Sequence, residues 1–268
     1  MFYRMMSLLL FLTLAATATA AEEIPDPKEI LEKMIAATGG EAFSKLGILE
    51  LEVTAEEIRN DGTQSSRNFS LMVDTSNLAN LRMELPGDVV VATNKGGGWS
   101  TTADVLDDRP QVSKMARQTI NQTVFSLLLP YSLQMEGVWL KEAHETQLDG
   151  RDVWVITMPF SKDFFVNPVM ETTWILVVAK DDYSIQSLEF APAPAFADVS
   201  PVGVRYRILK EKEIEGATVV EQLLAVGINS QYQESGANRV TRIVSKVRPW
   251  DPTLFLSPAQ LEALEEED

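Results

Sequence analysis

The stretch Leu49-Glu50-Leu51-Glu52-Val53-Thr54 decides the fold class. Apolar residues fall on every second position with glutamate and threonine between them, which is the period of a strand with one apolar and one wet face. The same alternation returns at Phe69, Leu71 and Val73, and again at Leu81, Met83 and Leu85. Asn60-Asp61-Gly62 supplies a turn between the first two runs, and Pro86-Gly87 ends the third. Val89 to Thr93 is a further short strand, and Asn94-Lys95-Gly96-Gly97-Gly98 makes a bend before Trp99. Successive strands joined by short turns make an antiparallel meander, and no βαβ rhythm is present.

Upstream of this meander the period is helical. Asp26, Pro27 and Glu29 form a capping-box-like start, Ile30, Leu31, Met34 and Ile35 an apolar stripe, and Gly39-Gly40 a stop. A short helical turn fits Glu41 to Leu46. Downstream, Val112 to Leu129 reads as a central helix with Met115, Thr119, Ile120, Val124, Leu127 and Leu128 as buried candidates, closed by Pro130-Tyr131. Strands resume over Val138 to Lys141. Asp149-Gly150-Arg151 turns into the strand Val153 to Met158, and Lys180-Asp181-Asp182 joins Thr172–Ala179 to Ile185–Phe190. Ala191 to Pro201, with three prolines and several alanines, reads as a loop. Strands then fit Val202–Lys210, Thr218–Ile228 and Asn238–Val247, and Ser257-Pro258 starts a last short helix with an acidic tail over residues 257–268. Residues 21–256 are expected to form one domain.

The N-terminus reads as a signal peptide over residues 1–20. Arg4 precedes an apolar run from Met5 to Ala16, and Ala18-Thr19-Ala20 places small residues before the expected cleavage point. An uncleaved anchor is the alternative, although the run is short for a span of about 20 residues. No later segment is apolar for long enough to span. The chain carries 39 acidic against 23 basic residues, a formal charge of −16. That excess repels nucleic acid and anionic lipid surfaces at long range. With no cysteine, disulfides, thiolate catalysis and a lipid anchor on cysteine are all excluded.

No catalytic site, metal site or cofactor is expected. His144 is the only histidine, so histidine clusters cannot form, and its place beside a turn and between acids suits a surface residue. The carboxylates of Asp104, Asp107 and Asp108, and those of Asp181 and Asp182, crowd turns without the spacing of a calcium loop. Asn94 to Gly98 lacks the phosphate-loop pattern. Asn68-Phe69-Ser70 and Asn121-Gln122-Thr123 match a glycosylation sequon, a three-residue pattern common by chance.

Three strands are apolar on both sides. Trp154, Ile156 and Met158 oppose Val153 and Val155; Trp174, Leu176 and Val178 oppose Ile175 and Val177; residues 218–228 carry apolar side chains in both registers. A half-wet sheet needs one apolar face, so a second layer is required, either packed helices or the wall of a ligand cavity. Met72, Met83, Met115, Met158 and Met170 are flexible enough to line a lipid pocket, and are equally at home in a core. Residue type and parity select Trp99, Trp154, Met158, Trp174 and Met83 as the candidate lining.

The order of these elements resembles the periplasmic lipoprotein-carrier superfamily, with its LolA/LolB-like fold and its outer-membrane lipoprotein-sorting relatives. The residues that carry the likeness are the signal peptide followed by Asp26–Met34, the segment Thr38-Gly39-Gly40-Glu41-Ala42-Phe43-Ser44-Lys45-Leu46 leading into a long strand, Gly97-Gly98-Trp99, Leu128-Leu129-Pro130-Tyr131, and Asp149-Gly150-Arg151 before an apolar strand. The resemblance implies a mainly β (α+β) fold: a strongly curved antiparallel sheet forming an incomplete barrel, with N-terminal and central helices covering its open side. It also implies a periplasmic location and a lipid, an acyl chain, a lipoprotein or another envelope protein as partner, without chemistry. The chain departs from the carriers in its length and in the Pro/Ala-rich stretch. Binding or carriage of a lipid in a hydrophobic cavity is therefore the expected function. The alternatives are an interaction module that docks through the acidic surface, and a carboxylate-based hydrolase.

Overall fold

The computed structural model describes residues 24–59, 61–166, 170, 173–190 and 203–266. The signal peptide expected over 1–20 and the Pro/Ala-rich loop expected over 191–201 lie outside the described residues.

The chain opens with α1 (Pro27–Ala37) and α2 (Gly40–Phe43) and enters a run of six strands: β1 (Ile48–Ile58), β2 (Gln64–Asp74), β3 (Leu81–Leu85), β4 (Val89–Asn94), β5 (Gly97–Thr102) and β6 (Val105–Leu106). The central helix α3 (Val112–Val124) follows, then a 3-10 turn over Tyr131–Gln134. Seven more strands complete the sheet: β7 (Glu142–Leu148), β8 (Arg151–Met158), β9 (Trp174–Ala179), β10 (Ile185–Phe190), β11 (Gly203–Ile214), β12 (Ala217–Ile228) and β13 (Glu234–Arg248). A 3-10 turn over Pro252–Phe255 and α4 (Pro258–Glu265) end it.

All the strands join one 13-stranded sheet in the order β6-β5-β4-β3-β2-β1-β13-β12-β11-β10-β9-β8-β7. Its named pairings are all antiparallel, and β13 returns to lie beside β1 with Ile48 opposite Arg248 and Ile58 opposite Asn238. The expectation of a strongly curved, incomplete barrel is overturned here. The order is linear, β6 and β7 are its two unjoined edges, and the sheet is neither closed nor strongly curled. Closure requires the end strands to meet in register. Neither suits that task, because β6 has two residues and β7 is exposed at nearly every position.

Parity sorts the side chains as the alternation foretells. Leu49, Leu51 and Val53 pair across with Val73, Leu71 and Phe69, and these continue to Leu81 and Met83 on the same face. That face runs on through Ile243, Leu223, Tyr206, Leu188, Leu176 and Ile156 into one core cluster. The opposite face of β1 and β13 is wet, with Glu56 against Arg242 at 2.6 Å and Glu50 against Arg248 at 3.6 Å. A small second cluster of Ile48, Met72 and Phe255 forms there under the C-terminal 3-10 turn.

α1, α2 and α3 cover the apolar face. Asp26 caps α1 by accepting from the Lys28 amide at 2.8 Å, and Ile30 and Met34 are buried. The turn after α1 touches the β11–β12 hairpin so closely that a Cβ on Gly39 would lie 2.0 Å from the Gly216 carbonyl oxygen. Gly39 also has φ +76°, a conformation glycine adopts without penalty. The Tyr131 hydroxyl reaches the carbonyls of Thr38 and Thr218 at 2.6 and 3.0 Å, and its ring stacks on Phe43.

Two boundaries differ from the sequence reading. The central helix stops at Val124 instead of Leu129; beyond it the chain tightens into an i→i+3 turn from the Leu127 amide to the Val124 carbonyl, and Pro130 disfavours helical backbone at Leu129. Its buried stripe is Ala116, Ile120 and Val124, so Met115 points outward and is 46% exposed, against the expectation that it is buried. The strand expected over Val138–Lys141 is an isolated bridge between Val138 and Phe160, and the true strand is β7. The tight Asp149-Gly150 turn sets Leu148 opposite Arg151, which obliges pairing to begin at once.

Candidate functional site

A cavity of about 460 Å³ lies on the apolar face beside the last turn of α3. Its floor is built by register. Val53 sits opposite Phe69, Leu223 opposite Thr241, Tyr206 opposite Ala225 and Phe190 opposite Val204. Gln122, Thr123, Ser126, Leu127 and Met170 contribute the other side. Ala55, Ala225 and Gly227 occupy positions where the parity points into this space. Small side chains at those points leave open a volume that larger residues would fill. The volume falls within the roughly 300–1,000 Å³ usual for small-molecule pockets.

The lining changes character along the strands. Val53, Phe69, Leu127, Phe190, Tyr206 and Leu223 form the apolar part. Further out along β1, β2 and β13 come Glu57, Ser65, Arg67 and Arg239. Glu57 faces Arg239 in the β1–β13 register and lies 3.1 Å from the Arg59 Nε. The arrangement is that of an amphipathic pocket, with an apolar body and a charged rim.

The residues selected by type and parity lie elsewhere. Met83, Trp154, Met158 and Trp174 all belong to the core cluster on the same face. Trp174 is next to the cavity: its ring stacks on Phe190 at 4.8 Å, and its indole N–H donates to the Met170 carbonyl at 2.9 Å. Trp154 is further along, with the Lys180 ammonium 4.4 Å from its ring centre. Trp99 projects from the opposite face of the sheet, where its indole N–H donates to the Phe255 carbonyl at 3.1 Å. The sequence signal for the cavity is weaker than a tryptophan: a continuation of apolar parity into Ala55, Ala225 and Gly227, and then into Arg67 and Arg239.

A second, larger groove of about 960 Å³ runs between α3, the β4–β5 bend and residues 134–139. Its lining mixes Leu78, Leu81, Met135, Trp139 and Phe164 with Lys95, Lys114, Arg117 and Lys162, and Lys114 pairs with Asp163 at 2.9 Å. Charged side chains are spread through that groove, whereas the smaller cavity keeps an apolar body apart from a charged rim, so the smaller cavity is the better candidate.

The crowded carboxylates are accounted for by turn chemistry. Arg109 donates from its Nε to Asp107 at 2.8 Å, and its hydrogen bonds hold the Asp107 carboxyl down at about 2. Arg151 meets both Asp181 and Asp182, at 2.6 and 2.7 Å. Among the described residues no group of three or more histidines, aspartates and glutamates could hold a metal ion. His144 stands exposed on β7 opposite Val155. No described helix is long and apolar enough to cross a membrane.

No family model matches the chain, and no curated protein matches it. Among solved structures, it is similar to a LolA superfamily protein from Nitrosomonas europaea, with a TM-score of 0.58 and 12% identity, covering 87% of this chain and 98% of that one. It is also similar to a DUF1329 family protein from Desulfovibrio piger, with a TM-score of 0.53 and 13% identity, covering 88% of this chain and 100% of that one. At such identities the relationship is distant and structural, a likeness of fold.

Proposed function

We propose that this protein binds or carries a lipid, an acyl chain or a lipidated protein in the 460 Å³ cavity, in the periplasm and without catalysing a reaction. The cavity carries the proposal: a pocket with an apolar body on the core-facing side of the sheet, beside the core cluster. Leaving such space empty forgoes packing, and an apolar ligand restores it, gaining about 25 cal/mol for each Å² removed from water. Phe69, Leu127, Phe190, Tyr206 and Leu223 are assigned to the apolar part of the ligand, with Trp174 as the rigid backing of Phe190. Met83, Trp154 and Met158 extend that backing through the core. The fold shared with a LolA superfamily protein supports the same reading, and export rests on the signal-like N-terminus.

Native mass spectrometry of the protein purified gently from its own host tests the proposal, followed by denaturing lipid extraction. A discrete added mass, identified as lipid on extraction, is the expected result. A clean unliganded mass that does not change after incubation with host lipid extract would overturn it.

A further inference from the structure

The rim of the cavity names the class of ligand, given the binding function proposed above. Arg67 on β2 and Arg239 on β13 both line it. They flank β1 from either side, Arg67 opposite Ala55 and Arg239 opposite Glu57. Strand spacing separates their backbones by about 10 Å across the sheet and their two-residue stagger by about 7 Å along it, about 12 Å in all, a gap that two guanidinium groups on long side chains can close around one anion. Both point to the apolar face, where this acidic protein otherwise carries few charges.

Their pairing state is unusual for this chain. Arg59, Arg82, Arg109 and Arg151 each meet a carboxylate at 3.6 Å or closer, as do Arg205, Arg207, Arg242 and Arg248. Among the described residues Arg67, Arg117 and Arg239 have no such partner, and two of these three stand on the rim of one pocket. In a chain with 39 acidic residues, two arginines on one rim that form no ion pair are not explained by composition. Glu57, the one acid on this rim, already has Arg59 beside it.

We infer that the ligand is an anionic amphiphile: an apolar chain seated against Phe69, Phe190 and Leu223, with a single oxyanion head group, carboxylate or phosphate, held between Arg67 and Arg239. Guanidinium suits this role, since its planar donors meet such oxyanions two at a time and its charge shortens and strengthens each bond. The long-range charge of the protein opposes a whole anionic membrane surface but does little to a single head group once it is in contact with two arginines. The ligand is thus recognised as a monomer and not through a bilayer.

Calorimetric titration with four amphiphiles of one chain length, each kept below its micelle concentration, tests the inference. Dodecanoate and dodecyl phosphate are expected to bind about tenfold or more tightly than dodecanol and dodecyltrimethylammonium, and to weaken as salt is raised. In the R67Q/R239Q variant the anions should fall to the affinity of the alcohol, with R67K/R239K recovering part of the difference and circular dichroism confirming that both fold. Whichever of dodecanoate and dodecyl phosphate binds more tightly identifies the head group. Equal affinity for all four ligands, or a preference that survives R67Q/R239Q, would overturn the head-group assignment while leaving the cavity function standing. Binding of none of the four would overturn both.

Discussion

Asp74, at the end of β2, is 2% exposed, yet it carries no opposing charge. Its carboxylate accepts from the Ser76 amide and hydroxyl at 3.0 and 2.7 Å, from the Asn80 amide at 2.9 Å and from the Trp250 indole at 3.4 Å. Burial alone would raise its pKa, but the bonds from Ser76, Asn80 and Trp250 outweigh it and hold the group below the usual carboxylate range. A depressed folded pKa contributes stability that is complete above the unfolded value, about 4, and is lost as pH falls through the folded one. Asp74→Ala should therefore cost about 2–3 kcal/mol at neutral pH in urea unfolding, and the gap to the unsubstituted protein should shrink as pH falls below about 4. A gap that stays constant across that range would refute the assignment. At this scale the sequence reading is good at faces and poor at depth. Parity places Met83, Trp154, Met158 and Trp174 on the apolar side, but whether each meets a cavity or a neighbour depends on what the covering helix brings. Trp99 shows the limit of residue type, since it lies on the opposite face under Phe255.

Among elements, α3 has the largest effect, because its position decides where the cavity begins. It lies against β3, β4 and β5, and Gly98 makes that approach possible: an added Cβ would lie 2.5 Å from the Ser113 carbonyl oxygen and 2.9 Å from the Ala116 Cβ. At its other end Gln118 and Asn121 donate to the carbonyls of Phe165 and Phe164 at 3.0 and 3.3 Å, tying the helix to the segment between β8 and β9. Gly98→Val forces backbone and side chain apart, and should destabilise the protein by about 2 kcal/mol. Because α3 supplies Gln122 and Thr123 to the cavity, the same variant should also alter ligand retention. An unchanged unfolding midpoint would show that the helix moves away without cost. The bend expected over Asn94–Gly98 is confined to Lys95-Gly96, and Gly97 and Gly98 belong to β5; the role of Gly98 as a helix seat was not legible, since the seat pairs residues 98 and 113–117 across a gap that no local pattern spans.

Over the whole molecule the open sheet has two edges, and each is protected differently. β6 offers only two residues, while β7 presents Glu142, His144 and Glu145 along a strand exposed at nearly every position. Short and charged edges resist pairing with a second copy. Replacing Glu142 and His144 together by valine should give a sticky edge, and the apparent mass in size-exclusion chromatography with light scattering should rise with concentration above that of the unsubstituted protein. A mass that stays equal at every concentration would show that the charges do not guard this edge.

The sequence by itself determined many of the local events: the greater part of the strands, the turns at Asp61-Gly62 and Asp149-Gly150 that join them, and the helix start at Asp26-Pro27. Those follow from backbone preferences and from alternation, which act over a few residues. Tertiary structure decided the rest. An open sheet in place of an incomplete barrel depends on whether β6 meets β7, consecutive strands that the sheet places at its opposite ends. The cavity depends on where α3 stops and on the small residues it leaves uncovered, and its rim brings together Arg67 and Arg239, residues 172 positions apart that only the placement of β13 beside β1 makes neighbours. Packing between distant segments has no period in the sequence, so it becomes visible only when the chain is folded.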